Sequence, residues 1–98
     1  MPEVPELDGD WDVQRVSGLL PPLAGIRKRI LGDRGATVIP GGIDVPFAVV
    51  GQELRYRVPF AMVVDVLERD GDDWHGRATV FGRTVGEFRM SRRATRAG

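Results

Sequence analysis

Short apolar runs recur along this chain at intervals of about eight to twelve residues, and turn-forming residues separate them. The runs are Trp11–Val16, Ile26–Leu31, Ala36–Ile39, Ile43–Val50, Glu53–Val58, Phe60–Arg69, Trp74–Phe81 and Arg83–Met90. Each break carries glycine, proline or aspartate, residues that supply positive or preset φ angles for tight turns. Connections this short join antiparallel neighbours, so the runs are expected to be β-strands.

The chain leaves little room for helices. Outside the first loop no stretch keeps a helical period, and β-branched residues are concentrated in the runs. A meander of eight short strands closes on itself and thereby removes its exposed edges. The sequence therefore predicts an all-β fold, a small eight-stranded antiparallel up-and-down barrel. At 98 residues one domain is expected over 1–98, with flexible tails at 1–6 and 92–98.

Alternation along the runs predicts which side chains face the barrel interior. Three runs show it most clearly, and their predicted inward sets are Ile43, Val45, Phe47 and Val49; Leu54, Tyr56 and Val58; and Trp74, Gly76, Ala78 and Val80. The sixth run differs because it is apolar on both faces, with only Asp65 interrupting one of them. Val50 and Phe81 also fall on outward positions, which favours a homodimer through the outer face of residues 60–67.

Composition excludes several classes of function. Lys plus Arg and Asp plus Glu number 14 each, so no basic field attracts nucleic acid. The absence of cysteine excludes disulfides and thiolate metal sites. The acidic, proline-bearing start is unlike a signal peptide and no apolar run is long enough to span a membrane, so we expect a cytoplasmic protein without a membrane partner.

The start of the first strand contains Gly9-x-Trp11. This pattern resembles the Gly-x-Trp signature at the first strand of the lipocalin and wider calycin superfamily. The resemblance implies that an arginine near the end of the last strand, here Arg89, Arg92 or Arg93, crosses the tryptophan ring. It also implies a barrel with a mouth at one end and a cavity for a small, largely apolar molecule.

Two cations fall on inward positions. Arg15 is on the same face of the first strand as Trp11, and Lys28 is on the second strand. A buried charge is costly unless it is paired, so each should meet a carboxylate from the protein or from a ligand. One interpretation is a fatty-acid-like ligand with its carboxylate on Arg15 and Tyr56. The other is that both cations lie at the rim or pair with acidic side chains. The predicted ligand-binding residues are Trp11, Arg15, Leu19, Leu20, Lys28, Phe47, Val49, Tyr56, Met62 and Phe88.

The first loop, residues 17–25, is unusually apolar because it contains Leu19, Leu20 and Leu23. One hypothesis is a lid over the barrel mouth, hinged at Gly18 and Gly25. The alternative is a plug that seals the barrel and leaves no cavity.

Three functions remain open at this point. The first is binding of a small hydrophobic, acidic ligand. The second is a barrel-housed cyclase or isomerase of secondary metabolism, with Tyr56 and Asp65 as candidate catalytic residues. The third is a packed barrel that acts as a protein-interaction module. No cofactor or metal site is predicted, since no such motif is present and the single histidine, His75, falls on a polar face.

Overall fold

The computed structural model describes residues 7–18 and 25–93, which form eight strands. The strands are β1 (Gly9–Gly18), β2 (Arg27–Leu31), β3 (Arg34–Ile39), β4 (Ile43–Val50), β5 (Glu53–Tyr56), β6 (Val63–Asp70), β7 (Asp73–Val80) and β8 (Arg83–Arg92). They form a closed barrel in chain order, and every neighbouring pair is antiparallel, including β1 with β8. The predicted fold class is confirmed. Within the described part of the chain no helix is long and apolar enough to span a membrane.

The connections define two different ends of the barrel. At one end, two-residue turns join β2 to β3, β4 to β5 and β6 to β7. These turns begin with Gly32, Gly51 and Gly71, whose φ angles of 64°, 61° and 63° favour glycine. Trp11 and Trp74 lie near the strand termini at this end, which we call the tryptophan end. At the other end, which we call the pocket end, β3 joins β4, β5 joins β6 and β7 joins β8.

The sixth strand is shorter than predicted. It begins at Val63 rather than at Phe60, because the preceding residues form a turn. The Phe60 amide donates to the Arg57 carbonyl at 2.7 Å, and the Val63 amide donates to the Phe60 carbonyl at 2.9 Å. The fifth strand ends at Tyr56, so Val58, which was expected to face inward, lies beyond it and is 85% exposed.

The barrel interior holds one core. Its buried apolar residues are Leu7, Trp11, Val13, Ile30, Phe47, Leu54, Leu67, Trp74, Ala78, Phe88 and Met90. The predicted alternation agrees with this core in β4 and β7, where Phe47, Trp74 and Ala78 are buried. Glycine makes room for the largest rings: a Cβ at Gly76 would lie 2.2 Å from Phe88, and one at Gly35 would lie 2.7 Å from Phe47. Close packing therefore requires glycine at both positions.

Candidate functional site

A buried ion pair crosses the barrel interior between β2 and β6. Lys28 Nζ lies 3.1 Å from Asp65 Oδ2, and each side chain is only 5% exposed. The same ammonium donates hydrogen bonds to Thr37 Oγ1 at 2.7 Å and to Tyr56 Oη at 2.8 Å. An ammonium has three donors, so Thr37, Tyr56 and Asp65 together satisfy Lys28 completely. We call these four residues the lysine cluster.

Aromatic rings surround the lysine cluster. Lys28 Nζ lies 5.5 Å from the ring centroids of Phe47 and Tyr56 and 5.4 Å from that of Phe88. These distances are within the range of cation–π attraction. Phe47 also meets Tyr56 edge to face, with centroids 5.5 Å apart. The rings that sequence reasoning assigned to a ligand therefore pack against the lysine, and side chains fill the interior at this level.

The strand register explains how the lysine cluster assembles. Lys28 and Thr37 are directly paired across β2 and β3, so they point to the same face. Tyr56 follows Leu54 by two positions on β5, and Leu54 is paired with Asp65 of β6. All four side chains thus point inward, and closure of the barrel brings β2 opposite β6. The carboxylate expected for Lys28 therefore comes from the protein, from Asp65.

The charges of the cluster are held in place by their mutual contacts. Burial alone would lower the pKa of Lys28, but attraction to Tyr56 and Asp65 outweighs burial, so the pKa is raised above its ordinary value. Burial raises the pKa of the Tyr56 hydroxyl, and the nearby Lys28 only partly offsets this effect. Lys28 is therefore an ammonium and Tyr56 a neutral phenol at neutral pH.

An apolar pocket of about 310 Å³ lies at the pocket end. Its lining residues are Thr37, Ile39, Val45, Tyr56, Phe60 and Val63. Almost all of the lining surface is carbon. Thr37 and Tyr56 belong both to this pocket and to the lysine cluster, whose hydrogen bonds occupy their hydroxyls. The cluster is thus adjacent to the pocket, while the pocket itself offers a ligand mainly apolar surface.

Among the predicted ligand-binding residues that the structure describes, only Tyr56 lines this pocket. Lys28, Phe47 and Phe88 are buried in or around the lysine cluster. Arg15, predicted to be an interior anchor, is exposed, although it pairs with the inward-facing Phe88 near the pocket end.

The remaining predicted site residues lie elsewhere. Val49 packs against the core, and Trp11 is buried at the tryptophan end. Met62 is in the turn before β6. Leu19 and Leu20, together with the hypothesis of a lid or a plug, fall outside the described residues.

Sequence reasoning missed most of the pocket lining. Val45 was predicted to face inward, but was not assigned to the site. Thr37, Ile39 and Val63 also point inward, which strand alternation could have indicated. Phe60 could not have been found in this way, because it was placed in a strand and lies in a turn.

A tryptophan capped by an arginine lies at the opposite end. The Arg92 guanidinium stacks 4.3 Å from the Trp11 ring, and Nη1 donates to the Asp8 carbonyl at 2.9 Å. Trp11 Nε1 donates to the Leu7 carbonyl at 2.9 Å. This is the arrangement implied by the resemblance, and it selects Arg92, since Arg89 bonds Asp70 instead. Arg92 belongs to β8 rather than to the predicted tail.

The outer face of β6 carries a shallow groove. Val64 and Val66 line it together with Glu53, Arg55 and Arg77. Val64 and Val66 are only half-buried, as expected for a strand with apolar residues on its outer face. Dimerisation through this face stays a prediction.

Comparison with models of protein families, with curated proteins and with solved structures returned no match. The class of protein is therefore defined by the structure: a closed eight-stranded meander barrel with a buried ion pair in its interior, an arginine-capped tryptophan at one end and an apolar pocket at the other.

Proposed function

We propose that this protein binds a small, hydrophobic, acidic molecule in the apolar pocket at the pocket end. The observation that carries the proposal is the pocket itself, an opening of about 310 Å³ with an almost entirely apolar lining. Small-molecule sites commonly occupy roughly 300–1,000 Å³ and are mostly apolar, and barrel mouths often hold them. The pocket is at the lower end of this range, which favours a compact ligand or one alkyl segment.

The lysine cluster sets the orientation of the ligand. A carboxylate placed against Tyr56 would have to displace the hydrogen bonds of its hydroxyl, and it would approach the negative charge of Asp65. The apolar part of the ligand therefore enters the pocket, and its acidic group stays at the mouth. This orientation is the reverse of the one expected from the sequence, in which the carboxylate bound Arg15 and Tyr56.

An arginine at the mouth supports an acidic ligand. Arg57 directly follows Tyr56, and its carbonyl accepts a hydrogen bond from Phe60, so it adjoins two lining residues. Its guanidinium is exposed near the pocket end. A carboxylate at the mouth would therefore gain a charge-assisted hydrogen bond without entering the apolar lining.

We further infer a lipocalin-like ancestry for the barrel. Gly9-x-Trp11 on β1 and the stacking of Arg92 over Trp11 support this inference, together with eight strands in meander order. Ligand binding at the barrel mouth is in keeping with such an ancestry.

Isothermal titration calorimetry with medium-chain fatty acids tests the binding proposal. The wild-type chain should bind them, and Val45→Phe should abolish binding because the added ring fills the pocket. Leu31→Phe is the matched control, since Leu31 is 74% exposed at the tryptophan end. A lack of heat with the wild-type chain, or equal binding by Val45→Phe, would refute the proposed site.

The acidic group is tested by comparing each fatty acid with the alcohol of equal chain length. The acid should bind more tightly, by about tenfold if one charge-assisted hydrogen bond of about 1.5 kcal/mol distinguishes the two ligands. Arg57→Gln should remove most of this preference while leaving alcohol binding unchanged. An unchanged preference in Arg57→Gln would exclude Arg57 as the anchor.

A second candidate function is proton transfer by a barrel-housed isomerase or cyclase. One observation favours it: Tyr56 lines the pocket and contacts both Lys28 and Asp65, at 2.8 and 3.2 Å. A tyrosine held in this way can exchange a proton with a bound molecule. Incubating a bound carbonyl ligand in deuterated water should then incorporate deuterium, and Tyr56→Phe should stop it. A ligand recovered without deuterium would eliminate this candidate.

A further inference from the structure

Most of the exposed large apolar side chains in the described part of the chain lie at the pocket end. Those at this end are Val16, Ile43, Val58, Phe60 and Phe81. Leu31 and Val50 are exposed at the tryptophan end, each beside a glycine turn. Scattered exposed apolar residues are ordinary, but several converging on one end of a barrel indicate an interaction surface.

Phe81 is the most informative of these residues. It is 80% exposed, and its φ of 51° lies in the left-handed region that a bulky residue rarely adopts. The three turns at the tryptophan end place glycine where φ takes a similar positive value. The backbone conformation of Phe81 therefore costs free energy, and its exposed ring contributes little burial to offset that cost. A strained, exposed aromatic residue of this kind points to a role outside the fold.

Positive charge accompanies the apolar side chains. Arg57 precedes Val58 in the β5–β6 connection, and Arg83 follows the β7–β8 turn that contains Phe81. Neither guanidinium forms an ion pair with a carboxylate among residues 7–18 and 25–93. Asp44, beside Ile43, is an exposed acidic residue next to the β3–β4 turn at this end. The turn tips therefore combine aromatic and aliphatic side chains with arginines that are available to an anion.

We propose that the pocket end docks onto the surface of an anionic lipid bilayer. Val58 lies in the β5–β6 connection and Phe81 in the β7–β8 turn, which a hydrogen bond from the Phe81 amide to the Met62 carbonyl joins at 2.9 Å. An arginine flanks each of them, so this end presents apolar and cationic groups together, as the acyl chains and phosphates of an anionic bilayer require. Phenylalanine and aliphatic side chains of interfacial proteins enter the boundary between headgroups and acyl chains, while arginines reach the lipid phosphates. The sequence led us to expect no membrane partner, because no apolar run is long enough to span a bilayer, but docking of this kind needs no spanning segment and the proposal departs from that expectation.

Docking goes beyond ligand binding and does not require it. The mouth of the pocket would face the bilayer, because Phe60 both lines the pocket and is half-exposed at this end. An apolar ligand could then pass between the membrane and the pocket without crossing water. Vesicle binding by a chain whose pocket is filled, Val45→Phe, separates the two proposals, since only ligand binding should be lost.

Co-sedimentation with vesicles tests the docking. We expect the wild-type chain to bind phosphatidylglycerol-containing vesicles more tightly than vesicles of phosphatidylcholine alone. Phe81→Asn should weaken binding by about tenfold, as expected when one inserted ring is lost. Asparagine tolerates a positive φ, so this variant should fold. Val58→Ser should also weaken binding, whereas Leu31→Ser, the matched control at the other end, should leave it unchanged.

The arginines give a second readout. Arg57→Gln and Arg83→Gln should each reduce binding to the anionic vesicles by about fivefold and leave binding to neutral vesicles unchanged. Failure to bind either vesicle would overturn the proposal. Equal loss with Leu31→Ser would do the same. Sedimentation equilibrium provides the alternative outcome: if the chain self-associates and Phe81→Asn makes it monomeric, the pocket end is a protein contact and not a membrane contact.

Discussion

The two ends of the barrel differ in how their side chains are used. At the tryptophan end, Trp11 is 1% exposed beneath Arg92, and ion pairs such as Arg89–Asp70 at 2.8 Å occupy the rim. At the pocket end, Phe60 and Phe81 are exposed by 50% and 80%. Burial of apolar side chains stabilises a fold, whereas exposed apolar groups add little to stability. The difference indicates that the tryptophan end stabilises the barrel, whereas the pocket end carries the surface at which we propose binding.

Between the two ends lies the lysine cluster, which closes the interior. Its ammonium is satisfied by three oxygens and enclosed by three aromatic rings. Such an arrangement offsets part of the desolvation cost of the ion pair. It also leaves the space for a ligand at the mouth rather than along the barrel axis.

The two ends should differ most in how much the free energy of unfolding falls when an aromatic side chain is truncated. Trp11→Ala should lower the free energy of unfolding by about 3–5 kcal/mol, because it removes a fully buried ring. Phe60→Ala should lower it by less than about 1 kcal/mol, since half of its ring is already in water. Urea denaturation monitored by circular dichroism measures both values. Comparable losses would mean that the ends do not differ in this way.

Substitutions in the lysine cluster should lower the free energy of unfolding by nearly as much. Asp65→Leu leaves the Lys28 ammonium buried without its carboxylate, so we expect a loss of about 3 kcal/mol. The double variant Lys28→Met with Asp65→Leu should recover most of that loss, because both charges are then absent. If the double variant is less stable than Asp65→Leu, the remaining contacts of the Lys28 ammonium with Thr37 and Tyr56 compensate for the lost carboxylate, and the unpaired charge is not the cause of the loss. Denaturant titration of the two variants decides between these results.

Alkaline pH should weaken the fold through the same cluster. The folded-state pKa values of Lys28 and Tyr56 are raised above their ordinary values of 10.5 and 10.0. Above about pH 10 the unfolded chain therefore releases protons that the folded chain retains, and the free energy of unfolding falls as pH rises. Their contribution is fully present at lower pH. In Tyr56→Phe the fall should be shallower; an identical slope would show that Tyr56 does not contribute.

The smallest change in the free energy of unfolding is expected from a substitution at the pocket end. Phe81→Asn should raise the free energy of unfolding by about 1 kcal/mol, because asparagine accepts the positive φ that phenylalanine resists. Thermal denaturation measures this gain, with Phe81→Ser as a control that removes the ring without the same preference. A destabilised Phe81→Asn would show that the ring supports the fold after all.

Local patterns predicted the strands well, but they could not predict the contacts that cross the barrel. Alternation placed Phe47 and Trp74 correctly, and glycine turns placed the hairpins, because both depend on neighbouring residues. The pairing of Lys28 with Asp65 depends on closure and on the stagger of eight strands, which no local pattern contains. Phe60 was wrongly placed in a strand. The run from Phe60 is apolar on both faces, so its pattern does not show that a turn precedes β6.

Methyl NMR of the chain during titration with a medium-chain fatty acid shows directly whether the ligand occupies the apolar pocket. We expect shifts for the methyl groups of Ile39, Val45 and Val63 at the pocket end, while Val13 and Leu54 in the core remain unchanged. Shifts of this kind would place the ligand at the mouth, beside an intact lysine cluster. Shifts confined to Val13 and Leu54, or none at saturating ligand, would contradict the account.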